Sequence, residues 1–399
     1  METDDPVAAV VALTAAIREQ CTDIDTTRAL PPGVVQSLQD VGVFRLLAPA
    51  EIGGEEVDPL TFLRLVEAAS YADGSVGWCV MIGGCYAMFG GMLPPEGAKA
   101  IYGDPHTIAA GAFRPMGVAR AVAGGYRVSG RWVLGSGSTH ATWFVGGCMV
   151  QRDGEPVVLP SGAPLMRELF FPADVVEIIK TWDSTGLRGT ASHDYAVDDV
   201  FVPDEYTCWF QDPPAVDRPL YVMPPIAVFA TCIAAVPLGI ARHAIDEFVQ
   251  LAGAKTPAAP GVPGLADRAV VQDKLGRADV AVAAARAHLI AELADLWARV
   301  GVGHAPTLAD RGRLWTAATH AAHTAVDAIE ALYASAGSSS VYATCALDRC
   351  LRDALTAAQH VTTQELNFEL AGRQLLGKPV IPGPWMLDFR GEGVPRQPA

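Results

Sequence analysis

The sequence predicts an α+β protein in three consecutive blocks: helices over residues 1–107, a β-rich segment over 108–212, and a bundle of long helices over 213–399. Three observations carry this reading. Apolar residues recur at helical spacing through the first hundred positions, short β-rich runs cut by glycines begin near Ile108, and the helical period returns after Pro225 and stays. With 399 residues, 50% hydrophobic and 18% charged, the chain has ample apolar material for a large core. The 29 Lys and Arg against 44 Asp and Glu leave a net charge of −15, a field that repels phosphate backbones and anionic lipid. That balance argues against nucleic-acid and membrane-surface partners.

In the first block helical periodicity runs from Val7 to Glu19, from Pro32 to Val41 and from Leu60 to Ser70. Pro32 suits a first helical position, where a missing N–H costs nothing. Residues 42–57, broken by Pro49 and Gly53-Gly54, read as a loop, and the apolar, Gly-rich stretch from Gly74 to Met92 reads as a buried helix. In the second block, Gly124-Gly125 and Ser129-Gly130 punctuate the run from Val118 to Gly135 as hairpin turns. Further strands are predicted at Trp143–Val150, Val157–Leu159, Val175–Thr181 and His193–Val202. In the third block, Val271, Leu275, Ala278, Val282, Ala285, Leu289, Leu293 and Leu296 form one apolar stripe on a long helix. Two more long helices are predicted over Leu314–Ala336 and Cys345–Leu376, and the loop from Gly253 to Gly264 carries Pro257, Pro260 and Pro263.

The eight cysteines, Cys21, Cys79, Cys85, Cys148, Cys208, Cys232, Cys345 and Cys350, form no C-x-x-C pair and read as thiols of a reducing compartment. The N-terminal residues are acidic where a signal peptide is basic, and no apolar run is read as approaching the roughly 20 residues of a spanning helix. A cytoplasmic protein is expected. Ala-rich helices after Pro225, with small residues on several faces, predict a homotetramer.

Four segments then carry a resemblance. ADGSVGW (72–78), GGYRVSGRWVLGSGSTHATW (124–143), GLRGTASHDYAVDDVFVP (186–203) and RCLRDALTAAQH (349–360), in this order, resemble the acyl-CoA dehydrogenase superfamily over essentially the whole chain. The resemblance implies a central β-barrel-like domain, a C-terminal four-helix bundle, and a flavin between the two. Dehydrogenases of that superfamily remove an α-proton with a glutamate. Here ALTAAQHVTTQE follows Arg352-Asp353, with Gln359, His360 and Val361 near the place where that glutamate would fall, and Met223–Pro237 holds no acidic residue at all.

RDALTAAQH instead resembles the R-D-x-x-x-x-x-x-H of the flavin-dependent two-component monooxygenases of this fold, the group D hydroxylases, where the histidine sits over the flavin. What this implies is hydroxylation of a phenolic, polyketide or indolic substrate through a flavin C4a-hydroperoxide. The cofactors would be O2 and reduced flavin, FADH2 or FMNH2, supplied by a separate NAD(P)H:flavin reductase. His360 would be the catalytic base, since an imidazole with its ordinary pKa near ~6.5 takes and returns a proton at neutral pH. Trp132 to Gly137 resembles the group's W-x-x-x-S-G, in which the serine hydroxyl meets flavin N5. By that resemblance Trp132, Ser136 and Gly137 bind the cofactor, and Ser136 is also catalytic. Gly337 and Ser338 fall where family members reach the flavin phosphates of a neighbouring subunit.

His140, Cys85 and Tyr86 are the candidate substrate contacts, the last two standing where some of these monooxygenases carry another histidine. Each candidate also has a plain reading, as a turn, a packed core residue or a surface loop. His320 and His323 lie one helical turn apart without a third ligand, so packing is preferred and no metal is expected. Arg188 reads as a loop anchor on backbone carbonyls. Three alternatives stay open: an acyl-CoA dehydrogenase or oxidase with an unrecognised base, an N-hydroxylating monooxygenase, and a helical assembly or binding protein that keeps the fold without the chemistry.

Overall fold

The computed structural model describes residues 5–159, 162–255 and 259–379. Pro257 lies outside them.

Seven helices come first: α1 Pro6–Ala12, α2 Thr14–Glu19, α3 Cys21–Thr27, α4 Pro32–Asp40, α5 Pro59–Ala72, α6 Gly74–Ala87 and α7 Pro95–Tyr102. The single helix expected over Val7–Glu19 is divided at Leu13, whose N–H turns back to the Val10 carbonyl, and α3 follows unannounced by any apolar stripe. Side-chain caps set the starts that matter. Asp58 accepts from the N–H groups of Leu60 and Thr61, and Asp73 from those of Ser75 and Val76, so α5 and α6 each begin on an aspartate. Every residue of α6 is buried.

The strands are β1 Ala109–Val122, β2 Gly125–Gly135, β3 Trp143–Arg152, β4 Glu155–Pro156, β5 Met166–Pro172, β6 Glu177–Ile179, β7 His193–Pro203 and β8 Thr207–Cys208. They form one sheet in the order β6-β7-β2-β1-β3-β5-β8, with β4 on β3. The end strands β6 and β8 are not paired to each other, so the sheet is open where a barrel-like closure was expected. Gly124-Gly125 makes the hairpin, but Ser129-Gly130 is no turn: β2 runs through it, with a register shift against β7 between Val128 and Gly130. Ser129 accepts from the Asp199 N–H there and so fills the irregularity. Trp132 stacks on Tyr195 with centroids 5.3 Å apart and donates its Nε1–H to the Gly147 carbonyl at 2.8 Å, at the centre of the sheet's own core.

The last block is α8 Pro219–Val222, α9 Pro225–Ala254, α10 Ala269–Gly301, α11 Leu308–Ala336, α12 Ala346–Ala357 and α13 Leu366–Leu375. Helix α9 is long and apolar enough to cross a bilayer, contrary to the sequence reading, yet that stretch is almost wholly buried between α5, α6, α10, α11 and α12. A helix enclosed on all sides is apolar on all sides. The α10 stripe is confirmed, with all but half-buried Leu275 buried.

The helix expected over Cys345–Leu376 is interrupted. α12 stops at Ala357, His360 is extended (φ −64°, ψ 143°), and a short 3-10 turn covers Val361–Thr363 before α13. Side chains take the carbonyls that the break releases. Asn367 donates to the Thr362 carbonyl at 2.9 Å, Thr363 Oγ1 donates to Ala358 and His360, and His323 Nε2 meets the Thr363 carbonyl at 2.9 Å.

Sheet and bundle meet where α12 touches the loop before β7. Arg352 donates to the Thr185 carbonyl at 2.6 Å, buried Asp353 accepts the Leu187 N–H at 2.6 Å, and a Cβ at Gly186 would overlap the Arg352 carbonyl oxygen. Arg188 anchors the same loop as expected, donating to the carbonyls of Asp25 and Ser184.

Burial, and then the neighbouring Asp73, push the Asp353 carboxyl up to about 7. The folded state therefore holds this proton more tightly than the unfolded chain, and the group's contribution to stability falls as pH rises from about 4 to about 7. Asp353→Asn keeps an acceptor for Leu187 and should flatten that slope in urea melts. Asp353→Ala leaves the N–H unpaired and should cost about 1–3 kcal/mol.

Candidate active site

A cavity of about 720 Å³ lies between α6, one face of the sheet and the bundle. Trp78, Ile82 and Tyr86 reach it from α6, where residues three to four apart share a face. Val133, Leu134 and Ser136 reach it from the end of β2, where Leu134 is left-handed (φ 63°) and the pairing with β7 shifts register. Ile226 and Phe229 of α9, Trp315 of α11 and residues 359–362 close the bundle side. The wall is mainly apolar and aromatic, and among the described residues no carboxylate stands on it.

Its polar corner is built around Ser136. Trp78 Nε1–H donates to Ser136 Oγ at 2.9 Å, Ser136 Oγ is 2.7 Å from Ser192 Oγ, and Ser192 Oγ is 2.7 Å from Thr190 Oγ1. Thr190 in turn donates to the Leu187 carbonyl at 2.9 Å. Hydroxyl protons are assigned from such a network rather than seen. Because a carbonyl only accepts, the proton of Thr190 is committed to Leu187, Ser192 must then donate to Thr190, and Ser136 to Ser192. Ser136 oxygen thus accepts from Trp78 and keeps one lone pair on the cavity side.

His360 forms another part of the wall. Its ring lies edge-on to Trp78 with centroids 5.9 Å apart. Nδ1 is 2.9 Å from Thr362 Oγ1 and accepts from the Thr362 N–H at 3.3 Å, so the neutral ring carries its proton on Nε2. Burial lowers its pKa to about 4, so the value near ~6.5 expected of a free imidazole does not hold here.

The other predicted residues divide. Tyr86 is on the wall, packed against Phe113 and Phe229. Cys85, one residue back on the helix, points away into the core beside Cys232, and burial pushes its thiol well up. Trp132 has no face on the cavity: strand alternation turns it into the sheet's core, which corrects its reading as a cofactor contact. Gly137, left-handed at φ 82°, follows Ser136 and donates its N–H to the Thr190 carbonyl at 2.7 Å. His140 packs over it, off the wall, with both ring nitrogens buried and unpartnered among the described residues, and burial lowers its pKa to about 4. Gly337 and Ser338 are exposed at the end of α11, away from the cavity. Sequence reasoning missed Trp78, Thr190, Ser192 and Trp315. Trp315 is wholly buried and its Nε1–H has no partner among the described residues.

Known proteins share this architecture. The model "Acyl-CoA dehydrogenase, C-terminal domain" matches residues 231–365, and "Acyl-CoA dehydrogenase, N-terminal domain" matches 8–92. The chain is 33% identical over 367 residues to an indole-3-acetate monooxygenase of Pseudomonas putida, covering 92% of each. It is 30% identical over 379 residues to HsaA of Rhodococcus jostii, described as the oxygenase subunit of a flavin-dependent monooxygenase, covering 92% of this chain and 97% of that one. The crystal structure of 3-HSA hydroxylase from Rhodococcus sp. RHA1 superposes with a TM-score of 0.87 at 28% identity, over 96% of this chain and 100% of that one.

The protonation of His360 is open to direct measurement. Its folded pKa lies below the unfolded value near ~6.5, so its contribution to stability is complete above that pH and is lost as pH falls toward about 4. Nitrogen-15 histidine spectra should show one ring, absent in His360→Gln, that is neutral at pH 5.5 with its proton on Nε2. A ring already half protonated at pH 6.5 would contradict the structure.

Proposed function

The chain belongs to the flavin-dependent monooxygenases built on the acyl-CoA dehydrogenase fold, and from that premise we propose that it hydroxylates an aromatic substrate at the Ser136–His360 cavity, as the oxygenase component of a two-component system. The observation that carries the reading is the orientation of the hydroxyl chain. Ser136 offers an acceptor to the cavity, which complements the N–H that a reduced flavin presents at N5 and an oxidised one lacks. The apolar, aromatic wall suits a flat ring system. These residues fit the cofactor.

When bound, reduced flavin supplies the electrons that activate O2 for transfer of one oxygen atom to an electron-rich ring. The chain's own residues do the rest. Ser136, kept in place by Trp78 and Ser192, would hold the flavin edge, with Gly137 behind it. Ile82, Tyr86 and Phe229 exclude water. His360 meets the substrate as a neutral donor through Nε2–H. With Nδ1 held as the acceptor of the Thr362 N–H and in contact with Thr362 Oγ1, Nε2–H stays the donor that a substrate oxygen would meet. The dehydrogenase alternative lacks its agent among the described residues, where no carboxylate lines the cavity.

The reading extends to assembly and partners. A separate NAD(P)H:flavin reductase supplies the flavin, the protein works in the cytoplasm, and four copies assemble so that Gly337 and Ser338 of one reach the flavin phosphates of the next. Sedimentation at micromolar concentration should give a tetramer.

The decisive experiment supplies reduced flavin, ¹⁸O2 and candidate phenols and indoles, and looks for one labelled oxygen in the product. No label in any product, with turnover of an acyl thioester by an artificial electron acceptor, would refute the reading. Ser136→Ala should bind flavin and yet divert oxygen to hydrogen peroxide about tenfold to a hundredfold more, the scale of one lost buried hydrogen bond. His360→Ala should lower hydroxylation by about 10²–10⁴ while oxygen consumption falls much less.

A further inference from the structure

We infer that Arg114 is the specificity residue of this cavity and that the aromatic substrate carries a carboxylate, which the guanidinium binds. The inference rests on the proposed function only in taking the cavity as the substrate's site. Among the described residues Arg114 is the one Arg, Lys, Asp or Glu that lines the cavity. It makes no hydrogen bond or ion pair among the described residues, although the chain has 44 acidic residues for 29 basic ones. Arg131 pairs with Asp194, Arg286 with Glu67 and Arg299 with Asp310, each at 2.7 Å, whereas Arg64 and Arg152 also lack an ion pair among the described residues but do not line the cavity. An unpaired fork of donors beside an apolar wall selects a planar anion, because carboxylate oxygens match its geometry two at a time.

The backbone places Arg114 there at a cost. β1 pairs with β3 up to Ala112↔Gly146 and resumes only at Gly117↔Cys148, so residues 113–116 stand opposite Gly147 alone. Four residues lose their ladder bonds to re-aim a side chain, which is what a bulge beside a site does. Gly147 permits it: a Cβ there would lie 2.9 Å from the Arg114 carbonyl oxygen and closer still to that of Phe113. Phe113 pins the bulge from within, against Tyr86 at 5.1 Å, Phe210 at 5.0 Å and Phe229 at 5.3 Å. The Arg114 side chain stays exposed, so solvent screens part of its charge. A preference of about tenfold or somewhat more is the scale expected for a bidentate pair in that setting.

The anionic oxygens of a flavin phosphate share this chemistry, and the test separates the two sources. Matched ligands with and without a carboxylate, namely phenylacetate and toluene, 4-hydroxyphenylacetate and 4-methylphenol, and indole-3-acetate and 3-methylindole, are titrated calorimetrically into the full-length protein, anaerobically with saturating reduced FAD. In at least one pair the acid should bind about tenfold tighter, less so at high salt. Arg114→Gln should bring that pair within threefold of each other while leaving the neutral ligand within twofold of wild type, and Arg114→Lys should keep an intermediate preference. Three results overturn the inference: no acid preferred by wild type, a preference that survives in Arg114→Gln, or a loss of FAD affinity in Arg114→Gln with the preference intact, which would assign the arginine to the phosphate. An acid preference that depends on Arg114 with no ¹⁸O label in any product would uphold this inference and remove the oxygenase reading.

Discussion

The Leu187 peptide is held from both sides, and the site depends on that grip. Its N–H goes to buried Asp353 on α12, and its carbonyl receives Thr190 Oγ1–H and, at 3.2 Å, Trp182 Nε1–H. Leu187 and Ala191 are both left-handed, at φ 48° and 44°, a conformation that costs a non-glycine residue on the order of 1–3 kcal/mol. Such a loop persists only when its surroundings over-determine it, and Asp353, Arg352 and Ser75 do so. The carbonyl then orients Thr190, Thr190 orients Ser192, and Ser192 orients Ser136. A carboxylate in the helical bundle thereby decides which way a hydroxyl on the sheet points.

The same joint explains why Arg-Asp and His occur at a fixed interval. Arg352 and Asp353 lock α12 to the sheet, the helix ends one turn later at Ala357, and His360 stands in the gap. One end of RDALTAAQH fixes the distance between sheet and bundle, and the other places an imidazole in the cavity between them. The pattern is a spacer with a fastening at one end and a cavity-lining imidazole at the other.

The sequence made the block order legible because periodicity is a local property: the α10 stripe and the Gly124-Gly125 hairpin need no partner to be recognised. The resemblance singled out His360 and Ser136, and both line the same cavity. What was not legible lies across long separations. Ser136 meets Trp78 and Ser192, 58 and 56 positions away, and no spacing announces either contact. The break after Ala357 depends on His323, Thr319 and Asn367, so the intrinsic helical pattern of Cys345–Leu376 gave the wrong answer. Trp132 failed for a different reason. In W-x-x-x-S-G the tryptophan and serine read as one motif, whereas the pleat of β2 sends Trp132 into the core and only the strand end faces the cavity. Cys85 and Tyr86 show the helical version: one residue, about 100° of rotation, separates core from wall.

Helix α9 also constrains how the chain reaches this state. Its apolar surface is covered by α5 and α6, made before it, and by α10, α11 and α12, made after it. While the ribosome is still producing α10, α9 is finished and lacks half of its coat, which at roughly 5–20 residues per second leaves a 30-residue greasy rod exposed for several seconds. The nascent chain therefore has a vulnerable interval that ends only with its last hundred residues. A stop codon or proteolytic cut before α11 would yield not a smaller working unit but an aggregating fragment. The cavity, roofed by α9 and closed by residues 359–362, is complete only once the turn after α12 has been made.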